Sequence, residues 1–167
     1  KNIVITGGDG FIGSHLVKDL IHTSAKLHLF VDGARTYWRL GHYVDNVTLH
    51  QIHCWSRSYL IKLLESVSPD FIFHLRANVT RTMPKPPPGE LVDVTFAETL
   101  ALVDASAEVT SARFIHVGTI AEYGSSTLPF VETDFPQPNT TYGSNKLKVS
   151  DRVRNYSDCE RLTIVIP

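Results

Sequence analysis

The chain is poor in several features that would announce a function directly. It has two cysteines, Cys54 and Cys159, which lie far apart and fit neither a metal-binding nor a redox spacing, so a reducing, cytoplasmic setting is expected. None of its eight histidines stands one helical turn from another with an acid between them, and no metal site is expected. There is no excess of charge: 16 Lys and Arg against 17 Asp and Glu leave a net charge of -1, with a pI near 6.8. That balance excludes the electrostatic footprint of a nucleic-acid binder or of a protein held to an acidic membrane. No apolar run approaches the roughly 20 residues of a membrane span, and no signal-peptide pattern is visible. Internal repeats are absent too. What is present is a 43% hydrophobic composition over 167 residues, enough for one domain with a core, and residues 1–167 are read as that domain.

The most informative run is Thr6-Gly7-Gly8-Asp9-Gly10-Phe11-Ile12-Gly13, between an apolar strand, Ile3-Val4-Ile5, and a helical stretch from Phe11 to Ile21. Its glycine spacing, Gly-x-x-Gly-x-x-Gly, suits a phosphate cradle of the dinucleotide-binding type. Gly7 permits the tight turn out of the strand, Gly10 removes the side chain that would hold a pyrophosphate off the backbone, and Gly13 lets the helix lie close to the sheet. The helix N-terminus then offers N–H groups and a partial positive charge to phosphate. An Ile12/Leu16/Leu20 stripe is expected to face the core.

Leu27 to Val31 reads as the next strand, and Asp32 ends it, about 20 residues beyond the glycine turn as a dinucleotide site requires. A carboxylate there accepts hydrogen bonds from adenosine ribose hydroxyls and repels a 2′-phosphate. Arg35, three residues on, could instead grip that phosphate. NAD is the expected coenzyme, with NADP the alternative.

Beyond this point strand-like and amphipathic runs alternate, the pattern of βαβ units around a parallel sheet. Strands are expected near Asn2–Thr6, Lys26–Val31, Val47–His53, Asp70–Leu75, Arg113–Gly118 and Leu162–Ile166. Helices are expected near Phe11–Ile21, Tyr59–Val67, Leu91–Ala107 and Tyr142–Tyr156. The fold class is therefore α/β, a doubly wound parallel sheet of the Rossmann type. The proline-dense Met83–Gly89 segment can be neither helix nor central strand and reads as an extended loop at the carboxyl edge of the sheet. The chain starts on its first strand without Met and stops on a strand, so both ends are expected to be cut and a substrate domain to lie outside it.

Tyr142-Gly143-Ser144-Asn145-Lys146 puts a phenol and an ammonium one helical turn apart on one face. Pro136 and Pro138 break the chain beforehand, and Asn139, Thr140 or Thr141 can cap the helix. A cation beside a phenol favours its ionised form, which makes Tyr142 a usable general acid or base. Thr119 follows the strand Phe114–Gly118 and could hydrogen-bond a substrate carbonyl. Thr119, Tyr142 and Lys146 together suit hydride exchange between a nicotinamide and a carbon bearing oxygen.

Ile5 to Leu16, Phe73-His74-Leu75-Arg76-Ala77, Gly118-Thr119-Ile120-Ala121-Glu122-Tyr123-Gly124 and Tyr142-x-x-x-Lys146 together resemble the extended short-chain dehydrogenase/reductases. These form the NAD-dependent epimerase/dehydratase group, which acts mostly on nucleotide-sugars. The resemblance covers nearly the whole chain in the right order. It implies that Gly7, Gly10 and Gly13 hold the pyrophosphate, with Phe11 and Ile12 lining it. By the same resemblance Asp32 holds ribose, Lys146 also bonds the nicotinamide ribose, and Leu75 and Arg76 pass close to the coenzyme. A homodimer through the helices at Leu91–Ala107 and Tyr142–Tyr156 is implied as well.

Members of the group that dehydrate a hexose carry acids at the one or two positions after the threonine. Ile120 and Ala121 stand there and cannot transfer protons, so dehydration is not expected. The motif set looks most like the 4-keto-6-deoxy nucleotide-sugar reductases. A sugar 4-epimerase is the near alternative, and a non-catalytic or truncated dinucleotide-binding module is the alternative from another class. Three departures stand out. Leu49 to Trp55 lacks the Asp with which relatives read adenine, Arg76 replaces a customary Ala, and Asp93 stands where an Asn often anchors the active-site helix.

Overall fold

Short β-branched and aromatic runs bounded by turn residues become strands, and each lies parallel to its neighbours, as crossover helices between successive strands demand. The computed structural model describes residues 1–33, 37–77, 94–124, 129–131, 133–155 and 162–165. Strands β1 (Asn2–Thr6), β2 (Lys26–Asp32), β3 (Thr48–Ile52), β4 (Phe71–His74), β5 (Arg113–Val117) and β6 (Leu162–Val165) form one sheet. Their order is β3-β2-β1-β4-β5-β6. Helices α1 (Phe11–Leu20), α2 (Arg57–Val67), α3 (Val94–Val109) and α4 (Thr141–Arg154) cover it. The chain steps outward from β1 to β3, then crosses back to β4 on the far side of β1. That reversal opens a crevice at the carboxyl ends of β1 and β4, where ligands bind in open α/β sheets.

Both sheet faces are covered, so side chains on either face of the inner strands are mostly apolar rather than alternately polar. Ile3, Ile5, Leu27, Leu29 and Val31 pack with Val17 of α1 and with Leu40 from the β2–β3 connection. Val4, Phe30, Ile72 and Phe114 point the other way, onto Leu60 and Leu64 of α2, Leu102 and Val103 of α3, and Val149 and Val153 of α4. Leu60, Leu64 and Leu102 are fully buried, and truncating any of them to Ala costs roughly 2–5 kcal/mol.

Within the described residues element ends differ from expectation by a residue or two, and capping explains the clearest case; the expected ends at Leu91, Tyr156 and Ile166 lie outside those residues. Helix α2 starts at Arg57 because the Ser56 hydroxyl accepts the Tyr59 N–H, two residues before the expected start. Helix α4 is capped by Thr140, whose Oγ1 accepts the Gly143 N–H at 3.0 Å. The expected core stripe of α1 needs correction. Gly13, Ser14 and Val17 form the buried face, Leu16 and Leu20 flank it, and Ile12 is 60% exposed. A helix packed through a glycine presses its backbone onto the Gly7–Gly8 turn, with the neighbouring Ile12 turned outward. Arg35, the Met83–Gly89 segment, Asp93 and Cys159 lie outside the described residues.

Candidate active site

The glycine turn is built as its spacing implies. Gly7 sits at φ 69°, in the left-handed region that favours glycine, and a Cβ there would lie 2.9 Å from the Arg76 backbone nitrogen. A Cβ on Gly13 would come within 2.2 Å of the Gly7 carbonyl oxygen, so no side chain fits between α1 and the turn. Gly10 differs from both. Its φ of -76° is open to any residue, and an added Cβ would meet only the Gly7 oxygen, at 3.1 Å. The protein's own packing therefore asks least of Gly10, and the space above it is left to whatever enters the crevice. Gly10 is the N-cap of α1 and supplies no side-chain cap to the first N–H groups of the helix. Phe11 and Ile12 stand beside the turn, 73% and 60% exposed. Glycine turn, uncapped helix start and open mouth fit a pyrophosphate.

Leu75 and Arg76 pass over this turn. The Leu75 N–H bonds the Thr6 carbonyl at 3.2 Å, and the Arg76 N–H bonds Thr6 Oγ1 at 3.3 Å. From there the Arg76 side chain reaches back across the sheet edge. Its Nε donates to Asp32 Oδ2 at 3.0 Å, its Nη1 pairs with Glu98 of α3, and its guanidinium lies over the Trp55 ring, 4.6 Å from the centroid. Trp55 Nε1 donates to the other carboxylate oxygen, Asp32 Oδ1, at 3.2 Å. Asp32 closes β2 at the edge of the crevice, in the position expected of a ribose acceptor. The structure adds two neighbours, Trp55 and Glu98, that local sequence pattern does not single out. The Arg76–Glu98 and Arg76–Asp32 pairs join segments far apart in the chain, and no spacing rule spans that distance.

At the other end of the crevice, Thr119 follows β5 and caps a short 3₁₀ turn, Ile120–Glu122. Its Oγ1 accepts the Ala121 N–H at 3.3 Å, while its own N–H donates to Glu122 Oε1 at 2.9 Å. The bond to Ala121 uses a hydroxyl lone pair, so the hydroxyl hydrogen can still be donated. Helix α4 docks on this turn through Gly143, where a Cβ would lie 2.3 Å from the Ala121 oxygen. Lys146 Nζ donates to the Val117 carbonyl at the end of β5, at 2.6 Å. Tyr142, one turn earlier on the same helix, is 37% exposed. Gly143 and Lys146 thus bring the first turns of α4 against the carboxyl end of β5 and the turn that Thr119 caps. Glu122, a residue the motif reading left without a role, is buried and ties this turn together.

Two histidines lie beneath the site. His74, the last residue of β4, is hydrogen-bonded through Nδ1 to Thr6 Oγ1 at 2.8 Å and through Nε2 to Thr99 Oγ1 at 2.9 Å. His116 of β5 stacks on it with ring centroids 6.0 Å apart. Among the described residues neither ring nitrogen of His116 finds a hydrogen-bond partner. Burial, with the nearby Lys146 charge second, lowers the His116 pKa to about 3. Burial, followed by the charges of His116, Lys146 and Arg76, holds His74 well below the ordinary histidine range. Both rings are therefore neutral at physiological pH. Among the described residues no cluster of His, Cys, Asp or Glu could hold a metal ion, and no helix is long and apolar enough to cross a membrane.

The profile of the NAD dependent epimerase/dehydratase family matches residues 3–167. A dTDP-glucose 4,6-dehydratase of Neisseria gonorrhoeae is 27% identical over 99% of this chain and 53% of its own length. A UDP-N-acetyl-alpha-D-glucosaminuronate decarboxylase of Bacillus cytotoxicus is 31% identical over 80% of this chain and 41% of its own. In fold, the chain superposes on a UDP-Glc/GlcNAc 4-epimerase from Campylobacter jejuni with a TM-score of 0.84 at 22% identity, covering 99% of this chain and 52% of that one. The chain spans about half the length of the curated relatives it matches.

Proposed function

The chain belongs to the NAD dependent epimerase/dehydratase family, and from that membership we propose that the protein is an NAD-dependent enzyme that modifies a nucleotide-sugar, with reduction of a 4-keto sugar as its reaction. Residues 1–167 serve as its Rossmann domain. Gly7, Gly10 and Gly13, with Phe11 and Ile12 beside them, receive the pyrophosphate against the N-terminus of α1. Asp32 receives the adenosine ribose, and Leu75 and Arg76 border the same crevice. The bound coenzyme supplies the hydride. The observation that supports the reading is the bond from Lys146 Nζ to the Val117 carbonyl, because it ties the first turns of α4, which carry Tyr142, to the end of β5, which Thr119 follows.

In this arrangement Thr119 donates its hydroxyl hydrogen to the substrate carbonyl oxygen, and Tyr142 delivers the proton that completes the alcohol. The Lys146 ammonium favours the phenolate left behind and orients the nicotinamide ribose. Dehydration needs a further acid and base. Ile120 is half-exposed and apolar, Ala121 carries no acid, and Glu122 is buried with one oxygen on the Thr119 N–H. A 4-epimerase uses the same three residues and retains its coenzyme, so it is the second reading. A homodimer through α3 and α4 completes the proposal.

The full-length protein, supplied with NADH and with UDP-, dTDP- or GDP-linked 4-keto-6-deoxy sugars, should consume nicotinamide absorbance with one of them. Interconversion of C4 epimers without net NADH consumption would support the epimerase instead. Coenzyme binding with neither reaction would leave only the non-catalytic module.

A further inference from the structure

Asp32 stands where a free carboxylate would read the ribose hydroxyls and repel a 2′-phosphate, but here it is not a lone charge. Arg76 Nε lies 3.0 Å from Asp32 Oδ2, and the guanidinium is held in place from two other sides, by Glu98 and by the Trp55 ring. The Arg76 side chain is only 16% exposed, so this is a seated cation rather than one swinging through solvent. Its backbone is fixed as well, by the Thr6 hydroxyl on one side and by close approach to Gly7 on the other.

We infer that Arg76 sets the coenzyme choice of this site: by offsetting part of the negative charge that Asp32 and Glu98 bring to this corner, it admits 2′-phosphorylated dinucleotides, NADP(H), alongside NAD(H). The inference rests on the crevice being a dinucleotide site. A 2′-phosphate brings about two negative charges to the corner that a ribose hydroxyl does not. Beside carboxylates with no cation those charges are strongly repelled; here they meet a smaller net negative charge and a guanidinium they can share with Asp32 and Glu98. Glu98 divides the same guanidinium with Asp32. Removing the Glu98 charge therefore leaves more of the cation for a phosphate, and removing Arg76 leaves two carboxylates facing it. The two changes must shift the preference in opposite directions, which a merely structural role for either residue does not require.

The test is the ratio of NADPH to NADH dissociation constants, measured by nicotinamide fluorescence on the full-length protein and compared at low and moderate salt. In the wild type the ratio should lie within about tenfold of unity. Arg76→Met, which keeps the aliphatic stem on Trp55, should raise it by at least about tenfold, and the rise should shrink as salt is added. Glu98→Gln should lower it a few-fold and serves alone if Arg76→Met does not fold. A wild-type ratio far above tenfold, or a ratio that Arg76→Met or Glu98→Gln leaves unmoved or shifts the other way, overturns the inference while leaving the dinucleotide site intact. Failure of both coenzymes to bind the wild type overturns the proposed function and this inference with it.

Discussion

Tyr142 stands in the first turn of α4, one turn before Lys146, with part of its side chain exposed. If it delivers the proton, Tyr142→Phe in the full-length protein should lower kcat by at least about 10²-fold, the low end for a general acid, and leave the NADH dissociation constant nearly unchanged. Turnover that survives the change would remove Tyr142 from the mechanism. At this scale the sequence was legible wherever chemistry depends on local spacing. The turn-apart phenol and ammonium, the three glycines and the aspartate ending β2 all lie where their spacing put them. It was opaque wherever a side chain finds its partner across the sheet. Nothing near Arg76 in the chain foretells that it ties Asp32 to Glu98, or that Trp55 donates to the same carboxylate. Such contacts depend on strand order, which no spacing encodes.

Among the elements, the docking of α4 on the 3₁₀ turn after β5 decides where the proposed catalytic groups stand. Gly143 is the contact, since a Cβ there would collide with the Ala121 oxygen at 2.3 Å. Gly143→Ala favours helix by propensity, yet it must push α4 off the turn. We expect a net loss of roughly 1–3 kcal/mol in stability and a fall in kcat exceeding any change in NADH affinity. A variant as stable and as active as the wild type would contradict this packing account. Elements were mostly readable because strand and helix patterns are local, and their ends were less so because caps decide them. Ser56 and Thr140 set where α2 and α4 begin. The α1 stripe shows the limit of counting apolar residues: Ile12 fits the period, but the glycine contact places the buried face at Gly13 and Val17 instead.

For the molecule as a whole, the neutral rings of His74 and His116 inside the sheet make stability depend on pH. Their pKa values in the folded state lie below the ordinary 6.5, at about 3 for His116. The unfolded chain therefore takes up protons that the folded one excludes. Stability is full above about pH 6.5 and is lost as pH falls toward the folded values, by up to about 1.4 kcal/mol per pH unit for each histidine. Urea unfolding between about pH 7 and pH 4 should follow that slope. His116→Leu, which removes a ring with no hydrogen bond among the described residues, should flatten it by one histidine's share. An unchanged slope would place the acid sensitivity elsewhere. The α/β class and the parallel, doubly wound sheet were legible from the alternation of runs, whereas the strand order was not, and the stacked histidines of β4 and β5 read in the sequence only as polar interruptions of apolar strands.

The central claim is that the opening βα turn holds a dinucleotide, and Gly10 tests it most directly, because its φ is open to any residue and an added Cβ would meet one protein atom, the Gly7 oxygen at 3.1 Å. The account predicts saturable NADH binding to the full-length wild type, and loss of that binding by at least about tenfold in Gly10→Val, with the fold retained at a cost of roughly 1–2 kcal/mol for a β-branched N-cap. Equal affinity in the two proteins, or no binding to the wild type, would contradict it.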